Sequence, residues 1–282
     1  MAGAARRREK LSYRLAGAAT ATAIEHGVIL KAEDINLSFG RITAVDGASF
    51  EAGEGEILAI IGPNGAGKTS LLNCINGFYR PQKGRVYFQG KDITSLSPHK
   101  RAMLGLGRTF QGLQVYEGMS VLDTIMSGRH IHMKLNPAQA FLYWPWVHRE
   151  ELQHRRIVEE IIDFLEIEPI RKRPIGMLSY GLRKRVDLAR ALALEPKILL
   201  LDEPMAGMNL EEKEDLARFI LDIHEGMGTP IIIVEHDMEV VMDIAGRLVV
   251  LDFGKKIAEG NPEEVRQNPL VVRAYLGEEE GE

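Results

Sequence analysis

Five apolar residues, Ile57-Leu-Ala-Ile-Ile61, run directly into Gly62-Pro-Asn-Gly-Ala-Gly-Lys-Thr-Ser70, and a helix-forming stretch, Leu71-Leu72-Asn73-Cys74-Ile75, follows at once. The spacing G-x-x-x-x-G-K-[ST] is that of a phosphate-binding loop, with Gly62, Gly67, Lys68 and Thr69 at the defining positions. No other stretch constrains the fold as much, because the loop works only between a buried strand and a helix. Its glycines let backbone N–H groups turn inward around phosphate oxygens, and the helix behind it aims its positive end at them. Pro63, Asn64, Gly65, Ala66 and Ser70 complete the expected nucleotide-binding set. Lys68 is placed to reach the terminal phosphates, and the Thr69 hydroxyl to ligate Mg²⁺. A glycine-rich turn that binds nothing is the bland alternative, and the strand-before, helix-after context argues against it. The loop by itself predicts binding of a nucleoside triphosphate and specifies no reaction.

Strands and helices alternate around this loop. The runs Ile57–Ile61, Ile198–Leu201, Ile231–Val234 and Leu248–Leu251 have the continuous apolarity of strands covered on both faces. Between them, Leu216, Phe219, Ile220 and Ile223 recur at helical spacing, as do Ile157, Ile161, Phe164 and Leu165, and more loosely Leu182, Val186 and Ala189. Val28–Ala32, Ala44-Val45 and Ala48–Phe50 read as short strands parted by turns at Ser38-Phe39-Gly40 and Asp46-Gly47, and Arg85–Gly90 as a further strand of the same antiparallel group. The pattern predicts an α/β fold: a parallel sheet core, an antiparallel β subdomain, and a helical subdomain over about 113–192 inserted between the first and second parallel strands.

At 282 residues the chain can bury a sizeable core. A net charge of −5 offers no basis for binding nucleic acid, and no such partner is expected. The single cysteine, Cys74, precludes an internal disulfide, suits a reducing compartment and reads as an inert buried thiol. No apolar stretch approaches the ~20 residues of a spanning helix. Residues 1–27 begin with Arg6, Arg7 and Arg8 and turn Ala/Thr-rich, which predicts a flexible tail; a basic arm on anionic lipid is the alternative.

Ile198-Leu-Leu-Leu-Asp202-Glu203 is an apolar strand ending in two carboxylates, and ligands bind at the carboxyl ends of such strands. Asp202 is placed to hold Mg²⁺, directly or through water, and Glu203 to act as general base on the attacking water. Leu178-Ser-Tyr-Gly-Leu182, followed by Arg183-Lys-Arg, offers a hydroxyl at Ser179 and close backbone approach at Gly181. An ordinary serine cap is the competing explanation of that stretch taken alone.

Together these motifs resemble the ATPase subunits of ATP-binding-cassette (ABC) transporters, a P-loop NTPase fold of RecA-like core, with Leu178–Leu182 similar to their LSGGQ signature. The resemblance covers almost everything from Val28 onward and implies an ABC ATPase domain over 28–260 with a C-terminal helical tail over 261–282. It implies ATP and Mg²⁺ as cofactors. Phe39 matches the aromatic that stacks on adenine, and Gln111, in Arg108-Thr-Phe-Gln111, the Q-loop glutamine that touches Mg²⁺ and the water. Ala206-Gly-Met-Asn209 occupies the D-loop, and His236 matches the switch histidine on the γ-phosphate. The implied catalytic set is Glu203, His236 and Gln111, the implied metal set Thr69, Gln111 and Asp202, with Ser179, Gly181 and Asn209 completing the nucleotide site. Two departures stand out: Tyr180 and Leu182 replace the usual Gly and Gln, and Asn209 the common Asp. Leu182 thereby removes a polar side chain expected to face the partner.

In such proteins one subunit's signature closes over ATP held by the other's phosphate loop, which implies a head-to-tail pair, homodimer or heterodimer. One cassette without a spanning helix implies integral-membrane permease subunits and a peripheral place on the cytoplasmic face of the inner membrane. Gly107-Arg-Thr-Phe-Gln111, Ala206-Gly-Met-Asn209, Glu235-His-Asp-Met238 and Asn268–Gly277 resemble the branched-chain amino acid importer ATPases (the LivG-like group). Import of branched-chain amino acids or related small solutes is the implied function, with a soluble non-transport ABC ATPase as the alternative. A P-loop kinase would need an acceptor lid that the sequence does not display. Phe141-Leu-Tyr-Trp-Pro-Trp-Val147 reads as local core in preference to an exposed patch. Leu113, Val115 and Tyr116 are the expected lining of a permease-docking groove.

Overall fold

The computed structural model describes residues 27–109, 117–133 and 145–279. The first two strands, β1 (Val28–Phe39) and β2 (Ile42–Gly53), form a hairpin closed by Gly40 and Arg41. Then follow β3 (Ile57–Ile61), α1 (Lys68–Asn76), β4 (Lys83–Phe88), β5 (Lys91–Asp92), α2 (Pro98–Leu104) and β6 (Leu106–Arg108). The helical stretch holds α3 (Val121–Ser127), α4 (Pro145–Phe164) and α5 (Tyr180–Leu192). The chain continues through β7 (Ile198–Asp202), α6 (Leu210–Met227), β8 (Ile231–Val234), α7 (Met238–Ile244), β9 (Arg247–Asp252) and β10 (Lys255–Gly260), and finishes with α8 (Pro262–Gln267) and α9 (Pro269–Glu279).

Two sheets result. An antiparallel sheet runs β2-β1-β4-β5, and a six-stranded sheet runs β10-β9-β3-β8-β7-β6, parallel except for the β10 edge. The four apolar runs all lie in the second sheet. Their unbroken apolarity has a direct cause, since side chains alternate between two covered faces. Ile57, Ala59 and Ile61 join the core beneath α4, α5 and α6, with Ile161, Val186 and Phe219. Leu58 and Ile60 join the core shared with α1 and the antiparallel sheet, with Leu71, Ile75 and Leu30.

Two sequence expectations need correction. The helical stretch does not lie between the first and second parallel strands, because β6 precedes it and pairs in parallel with β7 at the sheet edge. Three residues with a glycine at the centre make no apolar run, so β6 owes its extended form to pairing with β7. Asp46-Gly47 is not a turn between strands. It is a bulge inside β2, where the register slips between the Ile35–Ala48 and Leu37–Val45 pairs and Gly47 takes φ +69°. The Asp46 N–H leaves its own sheet and donates to the Gly254 carbonyl at 2.8 Å.

The helix behind the phosphate loop is pinned from its far end. Arg101 is fully buried, and its guanidinium donates to the Cys74 and Ile75 carbonyls at 2.7 and 2.5 Å and to those of Thr94 and Leu96. The Ile75 carbonyl is one of the last of α1 and has no partner further along the helix, while the Cys74 carbonyl also accepts from the Gly77 N–H. Burial lowers the Arg101 pKa to about 10, and pushes the adjacent Cys74 thiol up to about 12, so that thiol is inert. At the C-terminus, Val265 and Val271 join the main core, Tyr275 packs partly against it, and Val272 faces outward. Among the described residues no helix is long and apolar enough to cross a membrane. The aromatic segment falls outside the described residues from Phe141 to Trp144, and Pro145–Val147 open α4.

Candidate functional site

The phosphate loop is shaped by glycines at positions no other residue could hold. Gly62 and Gly67 have φ +149° and +96°, and a Cβ on either would stand 2.1 Å from a backbone oxygen, of Leu251 or of Ala44. Gly67 precedes α1 without any side-chain cap, which leaves the N–H groups of the first turn to a ligand. Lys68 is buried and folds across the loop, its Nζ donating to the Gly62 and Pro63 carbonyls at 2.6 and 2.9 Å.

The loop meets the end of β7 through Thr69, whose hydroxyl donates to Asp202 Oδ1 at 3.2 Å. Asp202 is fully buried, and its other oxygen is held by Arg108 Nη2 at 2.8 Å. Arg108 also donates from Nη1 to Asn73 Oδ1 at 2.6 Å, and the Asp202 N–H donates to Thr109 Oγ1 at 3.3 Å. Strand β6 thus matters twice: it closes the sheet, and it brings Arg108 to the buried carboxylate and the following Thr109 to the Asp202 N–H. In the sequence Arg108 and Thr109 stand out only as part of Arg108-Thr-Phe-Gln111, with no signal for this role.

Glu203, the next residue, has φ +46° and turns the chain sharply away from the sheet. Its N–H donates to the Val234 carbonyl at 2.9 Å, and its own carbonyl accepts from the buried Lys184 Nζ at 2.9 Å. Beside it, at the end of β8, Glu235 is fully buried, with Oε1 accepting from the Met205 N–H at 2.8 Å and Oε2 from the His236 N–H at 3.3 Å. Burial raises the Glu235 pKa above the usual carboxylate value. The His236 ring itself is exposed, with Nδ1 3.8 Å from Glu235 Oε2.

Phe39, at the end of β1, is half-exposed, and its ring meets Tyr79 edge-on at 5.0 Å between centroids. Tyr79, another residue that sequence reasoning passed over, in turn packs edge-on against Phe78.

A second group of residues gathers where α5 and α6 begin. Ser179 caps α5, accepting the Leu182 N–H at 3.4 Å. Asn209 caps α6 in a reciprocal box with Glu212, whose N–H it accepts at 2.9 Å. Gly181 lies against the same Glu212, since a Cβ there would stand 2.4 Å from Oε1, and the Tyr180 ring lies over Gly207. Leu182, which stands where a polar side chain facing the partner is usual, packs partly against the core. Lys184 ties this group to the first one through the Glu203 carbonyl. Gln111 lies outside the described residues, as do Leu113, Val115 and Tyr116.

A hydroxyl and a carboxylate 3.2 Å apart, beside a phosphate cradle, form a hard-oxygen donor set that fits Mg²⁺. That ion takes one or two protein oxygens and fills its shell with substrate phosphates and water. The phosphate cradle, the acid at the strand end and the second acid beside it make a site for splitting a nucleoside triphosphate.

Residues 45–206 match the ABC transporter family model, and residues 255–281 match that of the branched-chain amino acid ATP-binding cassette transporters. The chain is 35% identical over 250 residues to the high-affinity branched-chain amino acid transport ATP-binding protein BraF of Pseudomonas aeruginosa, covering 89% of this chain and 98% of that one. It is 36% identical over 253 residues to LivG of Escherichia coli, with the same coverage. Its backbone superposes with a TM-score of 0.78 on the crystal structure of the ADP conformation of an ATP-binding cassette of an ABC transporter, at 35% identity, covering 89% of this chain and 99% of that one. The chain therefore belongs to the ABC transporter family, as an ATP-binding, ATP-hydrolysing cassette that sits among the branched-chain amino acid transport ATP-binding proteins.

Proposed function

We propose that this cassette powers import of a branched-chain amino acid or a closely related small solute through integral-membrane permease subunits, lying peripherally on the cytoplasmic face of the inner membrane. The observation that carries the hydrolytic part is the Thr69–Asp202 contact, which joins the phosphate loop to a strand-end acid with Glu203 next in the chain. The C-terminal match over residues 255–281 and the names of the relatives support the choice of solute.

Chemistry at the site follows from the groups present. Phosphate oxygens accept from the N–H groups of Gly65 and of Gly67 to Ser70, while the Ala66 N–H stays with the Pro63 carbonyl, and Lys68 exchanges the Gly62 and Pro63 carbonyls for a terminal phosphate. Phe39 stacks on adenine with Tyr79 holding its edge. Thr69 and Asp202, with Gln111, would hold Mg²⁺, which when bound neutralises charge on the phosphates. Glu203 takes a proton from the attacking water at its carboxylate, and His236 donates to the γ-phosphate oxygen. Ser179 and Gly181 of a second cassette, with its Asn209 segment, cover the nucleotide from the other side. ATP then bridges two cassettes, and its cleavage removes the bridge.

Glu203→Gln tests the base. It should lower the hydrolysis rate about 10²–10³-fold while binding of a fluorescent ATP analogue stays within about threefold. Reconstituted with permease subunits, the wild-type chain should drive ATP-dependent leucine uptake into vesicles, and Glu203→Gln should not. Undiminished hydrolysis in Glu203→Gln would overturn the assignment of the base. Uptake unaffected by ATP or by this variant would overturn the transport reading.

A further inference from the structure

The fully buried Glu235 carboxylate is not needed as acid, base or ligand, yet both of its oxygens are committed. One accepts the N–H of Met205, two residues beyond Glu203, and the other accepts the N–H of His236. We propose that Glu235 is a positioning residue that locks the switch histidine to the segment leaving the catalytic acid, so that a γ-phosphate on His236 sets the position of Ala206–Asn209. This rests on the reading of His236 and Ala206–Asn209 given above.

The geometry makes such a lock natural. Asp202 and Val234 are direct neighbours in parallel strands, so Glu203 and Glu235 leave the sheet side by side. Glu203 turns away in a left-handed conformation, which brings the Met205 N–H back towards β8. A carboxylate offers a separate accepting oxygen to each of the two peptides, whereas an amide of the same size offers one oxygen and a donor NH₂ group. His236 is held on its other side as well, because Asp237 pairs with Lys213 of α6. The exposed imidazole therefore sits on a peptide whose N–H is tied through Glu235 to Met205, with the Asp237 side chain next to it paired to α6. The two bonds, at 2.8 and 3.3 Å, tie both loops to one side chain, which is what transmission between them requires.

The test is a double-mutant cycle of Glu235→Gln with His236→Ala, read as kcat and KM for ATP on the full chain. Gln keeps the size and one accepting oxygen but presents an NH₂ group to the second peptide N–H, so one of the two ties is lost. Glu235→Gln alone should lower kcat about tenfold and leave KM for ATP within about threefold. The double variant should be no slower than His236→Ala within about twofold, since Glu235 acts through that residue. A merely structural carboxylate would lower the thermal midpoint and multiply its loss onto that of His236→Ala, and that additive result overturns the proposal. If His236→Ala alone keeps the wild-type rate, the role of His236 fails and this inference with it, while the role of Glu203 stands on its own test. Hydrogen exchange in the unaltered chain gives a second readout should Glu235→Gln not fold. The Met205 and His236 amides should both be protected without nucleotide and should change protection together with ATP and Mg²⁺; independent behaviour of the two overturns the lock.

Discussion

Asp202 shows how a single residue depends on partners far away in the chain. Its carboxylate is fully buried and ionic, and burial of an unpaired carboxylate costs several kcal/mol. Arg108 supplies the opposite charge and is itself tied to Asn73 on α1, so the guanidinium links three elements. Arg108→Met should therefore lower the unfolding free energy by about 3 kcal/mol, read by urea denaturation. Addition of ATP and Mg²⁺ should recover part of that loss, because the nucleotide complex brings positive charge to the same carboxylate. An Arg108→Met chain as stable as the wild type would show that the ion pair contributes only locally. Lys68, Thr69 and Asp202 were legible in the sequence because a loop motif and a strand end fix them within a few residues. Arg108 and Glu235 were not, because their partners are set by strand order, and Tyr79 was not, because its contact with Phe39 joins two separate elements. Neighbours in the sheet, β6 and β7, lie more than ninety residues apart in the chain for the Arg108–Asp202 pair, and no spacing rule encodes that.

Secondary-structure elements were legible wherever their period was imposed by burial on a long face. The α6 pattern of Leu216, Phe219, Ile220 and Ile223 is buried at every position, and the central strands are apolar throughout because both of their faces are covered. Short or irregular elements escaped detection, as β6 and the Asp46–Gly47 bulge did, since pairing and not composition defines them. The helical stretch also carries a titratable joint. His154 on α4 is nearly buried; its Nδ1 accepts from Arg129 Nε at 3.1 Å, and Arg129 in turn donates to the Ala193 carbonyl and pairs with Glu195 beyond α5. Burial first, and Arg129 second, lower the His154 pKa below its ordinary value of 6.5, against a smaller opposing pull from Glu150. The sign follows directly. An unfolded chain takes up a proton near pH 6.5 that the folded one resists, so the stability held above that pH is lost as pH falls through the lowered folded pKa. For one group the slope is at most about 1.4 kcal/mol per pH unit. Thermal midpoints of the wild type should fall between pH 7 and pH 5, and His154→Gln should flatten that fall. An unchanged slope in the variant would place the acid sensitivity elsewhere.

At the scale of the whole molecule, the two residue groups that the proposed function joins in one site sit in different places. Lys68, Thr69 and Asp202 gather at the carboxyl edge of the sheet, whereas Ser179, Gly181 and Asn209 gather where α5 and α6 begin. Within one chain Ser179 and Asn209 use their side chains to cap helices, and the proposed function assigns the exposed start of α5 to a nucleotide held by a second chain. A composite site of this kind has a test that a self-contained site must fail. Lys68→Ala removes the phosphate-binding amine, and Ser179→Phe blocks the capping surface while leaving the chain's own phosphate loop intact. Each variant alone should be inactive, because every pair it forms carries the same defect in both sites. Mixed in equal amounts, half of the pairs combine one chain of each kind. Such a pair has one site with both defects and one with neither, so about a quarter of wild-type hydrolysis should return if the sites fire independently. Were Ser179 to serve the nucleotide of its own chain, every site in the mixture would still carry one defect and no activity would reappear. A second addition tells which chain supplies the base: the first outcome is recovery lost when Glu203→Gln joins Ser179→Phe and kept when it joins Lys68→Ala, and the second is the reverse. The geometry here requires the first outcome, since Glu203 follows Asp202 on the strand that meets Thr69 of its own loop.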